Sequence, residues 1–156
     1  MPTKVKIRIK DNLKLRAEID DLYEKADQIS LAKWSLSMAK HILDISNINY
    51  HTIDIITDGF KVNELWQIGQ VKKHDVRQAG FKVHQIAREC DCEIKKVALR
   101  AAGQAIGSGH MREHAMVASD YAIKAIGLLS SNNIAAITAE RQWQLNELKK
   151  LLQRTE

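Results

Sequence analysis

The sequence has little proline, glycine and cysteine, and each shortage limits the fold. One proline and seven glycines in 156 residues leave few of the turns that β-sandwiches and barrels need. The two cysteines, Cys90 and Cys92, are too few for the disulfide framework of a secreted domain and suit a reducing cytoplasm. Since no apolar run approaches the ~18 residues that span a bilayer, we expect no membrane association and a cytoplasmic location.

The positive charge is concentrated at the start of the chain. The formal net charge is +5, and residues 1–10 hold four of the 24 basic residues and no acid. The remainder therefore has 20 bases against 19 acids, a balance that argues against a nucleic-acid partner. Residues 3–9 alternate polar with apolar side chains but have no second strand to pair with. We expect residues 1–10 to be an extended, poorly ordered basic arm.

The rest of the chain has the composition and periodicity of helices. Alanine, leucine, isoleucine, lysine and glutamate are frequent, and apolar residues recur at spacings of three and four. Residues 11–156 are predicted to be a single all-α domain of six or seven antiparallel helices, arranged as a bundle or short solenoid. We expect Asp11 to cap the first helix, Ser30 to cap the second, and Asp58-Gly59 to form a turn.

An alanine-rich stretch, residues 93–129, is predicted to form a central helical hairpin that turns at residues 107–109. The turn places His110 and His114 at the start of the second helix. Histidines four residues apart share a helix face, which is the spacing of paired zinc ligands. The candidates for a third ligand match no compact metal motif: His84, Cys90, Cys92 and Glu113. The alternative is that both histidines stay neutral and hydrogen-bond across the hairpin.

Two residues of the last helix have unusual positions. Arg141 lies at the centre of the apolar stripe, so its guanidinium requires a partner, and the candidates are Glu113, Asp120 and Glu140. The arginine is then either part of a structural ion pair or the lining of a ligand cleft. Trp143 points almost opposite that stripe, where it packs on another helix or is an exposed anchor for a partner.

Residues 31–43, 98–127 and 140–148 resemble a family of all-helical bacterial proteins assigned as immunity proteins of polymorphic toxin systems. The resemblance depends on the histidine pair His110 and His114, on Tyr121-Ala122, and on the Glu-Arg-Gln-Trp-Gln run at residues 140–144. It implies a non-enzymatic protein that binds and neutralises a toxin. The first 30 residues have no counterpart in that family, and the proline-containing turn usual after its tryptophan helix is absent here.

Two functional hypotheses follow. The first is a cytoplasmic binding protein that needs no cofactor and neutralises a cognate toxin, with a possible homodimer left open. Its partner-binding residues would be His110, Glu113, His114, Arg141 and Trp143. The second hypothesis is a helical bundle that binds a metal or small ligand through His110 and His114. A metal-loaded protein would favour the second hypothesis.

Overall fold

The structure, a computed structural model, describes residues 2–154 and confirms the all-α fold. Met1 of the expected arm and residues 155–156 of the expected helical domain lie outside the described range. The described residues form seven α-helices and one 3₁₀ turn (Tyr50–Thr52), with no strand. The helices are α1 (Leu13–Lys25), α2 (Gln28–Ile45), α3 (Asp54–Gln67), α4 (Lys73–Glu89), α5 (Glu93–Gly107), α6 (Glu113–Ser130) and α7 (Ile134–Arg154).

The α5–α6 hairpin lies at the centre of the molecule. Both of its helices contact each other and α2, while α4 packs on α5, and α7 packs on α6 and α2. The hairpin contributes fully buried alanines such as Ala101, Ala105 and Ala122, whose small side chains let the helix axes approach closely. No helix formed by residues 2–154 has the length and apolar character required to cross a bilayer.

Both predicted helix caps were wrong. Asn12 caps α1, because its side-chain oxygen accepts a hydrogen bond from the Leu15 amide at 3.1 Å. Asp11, one residue earlier, contacts α7 instead. Asp27 caps α2 by accepting from the Ser30 amide at 2.6 Å, so Ser30 lies inside the helix. Each prediction failed because two capping residue types occur within three residues of each other, and sequence alone does not rank them.

Replacing Asn12 by Ala should lower the free energy of unfolding by about 1 kcal/mol. The side chain caps α1 and also donates to the Thr138 hydroxyl of α7 at 3.2 Å, and alanine removes both interactions. Urea unfolding measures the change. Asn146→Ala, at an exposed site on α7, is the matched control and should stay near wild type. Equal effects of the two substitutions would contradict the capping role.

The predicted turn at Asp58-Gly59 was also wrong, because both residues lie inside α3. Gly59 is buried where α3 crosses α5, and a Cβ atom there would lie 2.5 Å from Cδ1 of Ile106. The glycine thus permits a close helix crossing. The turn after α3 contains Gly69, whose φ of +76° is the left-handed conformation that glycine favours.

The arm preceding α1 is folded against the helices, contrary to the expectation that it is poorly ordered. Both the amide and the hydroxyl of Thr3 donate to the Asp20 carboxylate at 2.8 Å. The chain bends at Ile7, and Ile9 packs on the hydrophobic core. The four basic side chains of the arm are exposed. Threonine and isoleucine therefore hold this segment in place, and its charges face solvent.

Candidate functional site

Arg141 lies in a buried ion-pair network. Its guanidinium is 0% exposed and donates to both carboxylate oxygens of Asp11 at 2.8 Å and to Asp120 at 2.7 Å. It also donates to the Ser119 hydroxyl at 2.7 Å and to the Gln144 side-chain oxygen at 3.0 Å. A guanidinium with this many protein acceptors is fully satisfied. For Arg141 the geometry therefore supports a structural ion pair and not the lining of a ligand cleft.

The network continues to the first helix. Arg16 donates to both oxygens of Asp120 at 3.0 Å and to the Thr3 backbone carbonyl at 3.1 Å. Asp120 of α6 thereby joins arginines from α1 and α7. Of the three predicted partners of Arg141, Asp120 is correct. The other two lie elsewhere, since Glu140 is 2.9 Å from Nδ1 of His41 and Glu113 is exposed.

Trp143 packs between helices, away from the histidine pair. It is half-buried, and its ring stacks on His41 of α2 with centroids 3.8 Å apart and an interplanar angle of 17°. Glu140 fixes the orientation of that imidazole. The five predicted site residues therefore fall into separate places: Arg141 in the ion-pair network, Trp143 at the α2–α7 contact, and the remaining three near the start of α6.

His110 and His114 line an open cleft of about 330 Å³ between α4, α5 and the start of α6. A third imidazole, that of His84, enters from α4. We call this site the histidine cleft. Its lining residues are Arg77, Gly80, Phe81, His84, Gly103, Gln104, Gly107, His110 and His114.

Glycines form the floor of the histidine cleft. A Cβ atom at Gly80 would lie 3.1 Å from the Gly103 carbonyl oxygen, so α4 and α5 meet backbone to backbone. One at Gly103 would lie 2.6 Å from Cε1 of His84, and one at Gly107 would lie 3.2 Å from Cδ2 of His114. Both imidazoles thus rest on helix backbone. The sequence analysis named His84 as a candidate metal ligand and did not predict this packing, although the repeated four-residue spacing of glycine and histidine could have indicated it.

The imidazole of His114 is oriented by Gln104. Its Nδ1 lies 2.7 Å from the Gln104 side-chain oxygen, and because that oxygen only accepts, Nδ1 is the donor and Nε2 is left as the acceptor. Burial lowers the pKa of His114, and the positive charges of His110 and Lys6 lower it further, against an opposing effect of Glu113. The ring is therefore neutral near pH 7.

His84 is perturbed more strongly. Burial, followed by the charges of Arg100, His114 and Arg88, lowers its pKa from 6.5 to about 4. Its Nδ1 is buried without a hydrogen-bond partner among the described residues. A buried nitrogen without a partner is unfavourable for folding. The histidine cleft therefore contains a costly polar group with unused hydrogen-bonding capacity.

The histidine pair does not belong to a metal-binding group in this structure. The rings of His110 and His114 lie 6.2 Å apart between centroids, at an angle of 24°. Within residues 2–154 no group of three or more histidine, cysteine, aspartate or glutamate side chains is arranged to hold a metal ion. Cys90 and Cys92 follow α4 and do not line the cleft.

Comparison with protein-family models gives a match that covers most of the chain. The matching model is described as "Imm-5 like putative immunity protein" and spans residues 21–151. The prediction that the first 30 residues have no counterpart in the family was therefore wrong for residues 21–30. Comparisons with curated proteins and with solved structures found no match. The match includes the histidine cleft, the α2–α7 contact and Arg141, and it begins after Asp11 and Arg16. The chain thus belongs to the Imm-5 like immunity protein family.

Proposed function

We propose that this protein is a cytoplasmic immunity protein that neutralises a toxin by binding it directly, without catalytic turnover. Membership of the family over residues 21–151 supports the toxin-neutralising role. The observation that carries the choice of surface is the convergence of three imidazoles, from α4, the α5–α6 turn and α6, in one open cleft. A concave surface with a few converging polar groups is the usual form of a recognition site.

The rim of the histidine cleft offers apolar contact area. Phe81 is 48% exposed, and the Arg77 guanidinium lies 4.8 Å from its ring centroid. Met111, beside His110, is 47% exposed. Aromatic, arginine and methionine side chains are enriched at protein interfaces. Because it exposes apolar surface beside the polar groups, this rim suits a protein partner better than a cleft with a purely polar rim would.

The proposed contact surface retains three of the five residues predicted from sequence: His110, Glu113 and His114. Phe81 and Arg77 are added to it. Arg141 acts only by holding α7 to α1 and α6, because its guanidinium is fully buried. Trp143 is assigned to the α2–α7 contact, where its ring stacks on His41.

The test takes the proteins encoded by the genes adjacent to this one as candidate toxins and measures binding to them and protection of cells. The double variant Phe81→Ala/His110→Ala removes an exposed ring and an imidazole from the cleft rim. Loss of such anchors commonly costs a factor of ten or more in affinity, so we expect at least roughly tenfold weaker binding and reduced protection of cells. Calorimetry measures affinity and stoichiometry, and growth after toxin induction measures protection.

The matched control is Leu65→Ala/Ile68→Ala in the groove between α2 and α3. Ile68 is 67% exposed, so this variant also removes apolar surface, but from another face. Circular dichroism checks that both variants are folded. If the control loses binding and the cleft variant keeps it, the surface is misassigned. If the wild-type protein neither binds the toxin nor protects, the function itself is wrong.

A further inference from the structure

We propose that the histidine cleft receives a carboxylate, presented by an acidic side chain of the toxin. The inference rests on the proposed function, and it specifies the chemistry by which the partner is recognised. It is based on the charges around the cleft, on the hydrogen-bonding capacity of its imidazoles and on its glycine floor.

The charges that surround the cleft are predominantly positive. Arg77 lines it, and none of its lining residues is acidic. Arg88 of α4 and Arg100 of α5 act on His84, while Lys6 of the arm acts on His114. Positive charges in a partly desolvated concave site attract an anion and repel a cation.

Glu113 is the acidic group that acts on His114, and its side chain is exposed at the start of α6. Lys6, Arg77 and Arg88 are exposed as well, so solvent screens the charges of both signs. The positive groups outnumber Glu113, and the balance around the cleft therefore remains positive. The same balance opposes a divalent metal, so the observations favour an anion over the metal ligand that the histidine spacing alone suggests.

The two imidazoles differ in what they can offer a carboxylate, because neutral His114 presents only its acceptor Nε2, whereas His84 has an unused nitrogen. Nδ1 of His114 is used by Gln104, whereas Nδ1 of His84 has no partner among the described residues. The two rings are kept neutral by burial and by neighbouring positive charge. A carboxylate in the cleft would offset that positive charge and raise the pKa of both rings, which makes His114 easier to convert into a charged donor.

The floor leaves room for an inserted side chain. Gly103 and Gly107 let the two imidazoles lie against the helix backbone, and the space of about 330 Å³ that stays open exceeds that needed by one carboxylate. Phe81 at the rim can cover the aliphatic part of an aspartate or glutamate.

The test uses the isolated protein and needs no toxin. Imidazole resonances of His84 and His114 are followed by NMR through a pH titration in saturating acetate and in chloride at matched ionic strength. We expect the pKa of His114 to be higher in acetate, by about one unit, because a nearby anion stabilises the imidazolium. Acetate takes up a proton in the range where His84 titrates, so the His84 ring is followed as an acetate-dependent chemical-shift change near pH 7. Equal pKa values in the two salts would overturn the proposal.

Variants and competing ions make the assignment specific. Arg77→Gln should weaken acetate binding about tenfold, the loss typical of removing one charged hydrogen-bond donor. Lys61→Gln in the α2–α3 groove removes the same charge elsewhere and should leave acetate binding unchanged. Tighter binding of inorganic phosphate than of acetate would contradict a carboxylate site, and perturbation of both rings by zinc alone would indicate a metal site.

Failure of this proposal can be separated from failure of the proposed function. If acetate leaves both imidazoles unchanged while the toxin still binds and Phe81→Ala/His110→Ala still weakens binding, the cleft binds the toxin through apolar contacts. If acetate binds as expected and the neighbouring toxin does not, the cleft is an anion site and the immunity role is wrong.

Discussion

Replacing Arg141 by Ala is expected to lower the free energy of unfolding by about 3–5 kcal/mol, the usual cost of breaking a buried ion pair from one side. The substitution leaves Asp11 buried without its bidentate partner, and Asp120 keeps only Arg16. Ser119 and Gln144 lose a shared donor as well. For a chain of this length the melting temperature should fall by on the order of 10 °C.

Urea unfolding followed by circular dichroism measures this loss of stability, and two further variants serve as comparisons. Arg141→Lys keeps the charge but cannot reproduce the planar fork that binds Asp11, so its stability should fall between those of wild type and Arg141→Ala. Lys149→Ala, exposed on the same helix, should change stability by less than about 0.5 kcal/mol. An Arg141→Ala effect as small as that of Lys149→Ala would contradict the network's structural role.

Lowering the pH from 7 to 4 should remove about 2 kcal/mol of stability through His84 alone. Its pKa is about 4 in the folded protein and 6.5 in an exposed chain, so the unfolded chain binds the proton more readily. The full stabilisation is present above pH 6.5, decreases as the pH falls towards 4, and changes no further below that. This difference in pKa between the folded and unfolded states corresponds to roughly 3 kcal/mol of unfolding free energy. We reduce that value to about 2 kcal/mol because the ring is partly exposed to solvent.

Urea unfolding at a series of pH values measures the free energy of unfolding of wild type and of histidine variants. The contribution of His84 is the difference between them, since carboxylates also titrate in this range. His84→Gln should flatten the dependence between pH 6.5 and 4. His74→Gln, at an exposed position on the same helix, should keep the wild-type slope. Parallel curves for wild type and His84→Gln would show that His84 does not contribute to the acid sensitivity.

The helical class could be predicted because apolar spacing of three and four is a local property that burial of one helix face imposes. The error at Asp58-Gly59 has a tertiary cause. Glycine disfavours a helix locally, yet at the crossing of α3 and α5 a Cβ atom on residue 59 would force the end of the Ile106 side chain to move. Packing of α3 against α5 therefore outweighs the low helix propensity of glycine at this position. A single sequence does not show that Ile106 is the neighbouring residue.

The site was predictable to the extent that its parts lie close together in the sequence, although His110 lies in the α5–α6 turn and not, as predicted, on the same helix as His114. The spacing of His110 and His114 placed them together, and the position of Arg141 in an apolar stripe required a partner. The choice of Asp11 as that partner could not be predicted, because the two residues are 130 positions apart and meet only after α1 and α7 pack. His84 joins the cleft for the same non-local reason, through the contact between α4 and α5.

The buried ion-pair network is divided between the family match and the segment before it, which limits how the N-terminal segment can be exchanged with that of a relative. Arg141 and Asp120 lie within the family match, whereas Asp11 and Arg16 precede it. Replacing the first twenty residues would therefore take Asp11 from Arg141 and Arg16 from Asp120, leaving only the pair between Arg141 and Asp120. We expect such a chimera to be destabilised unless the new segment carries an acid and an arginine five residues apart at the same offset.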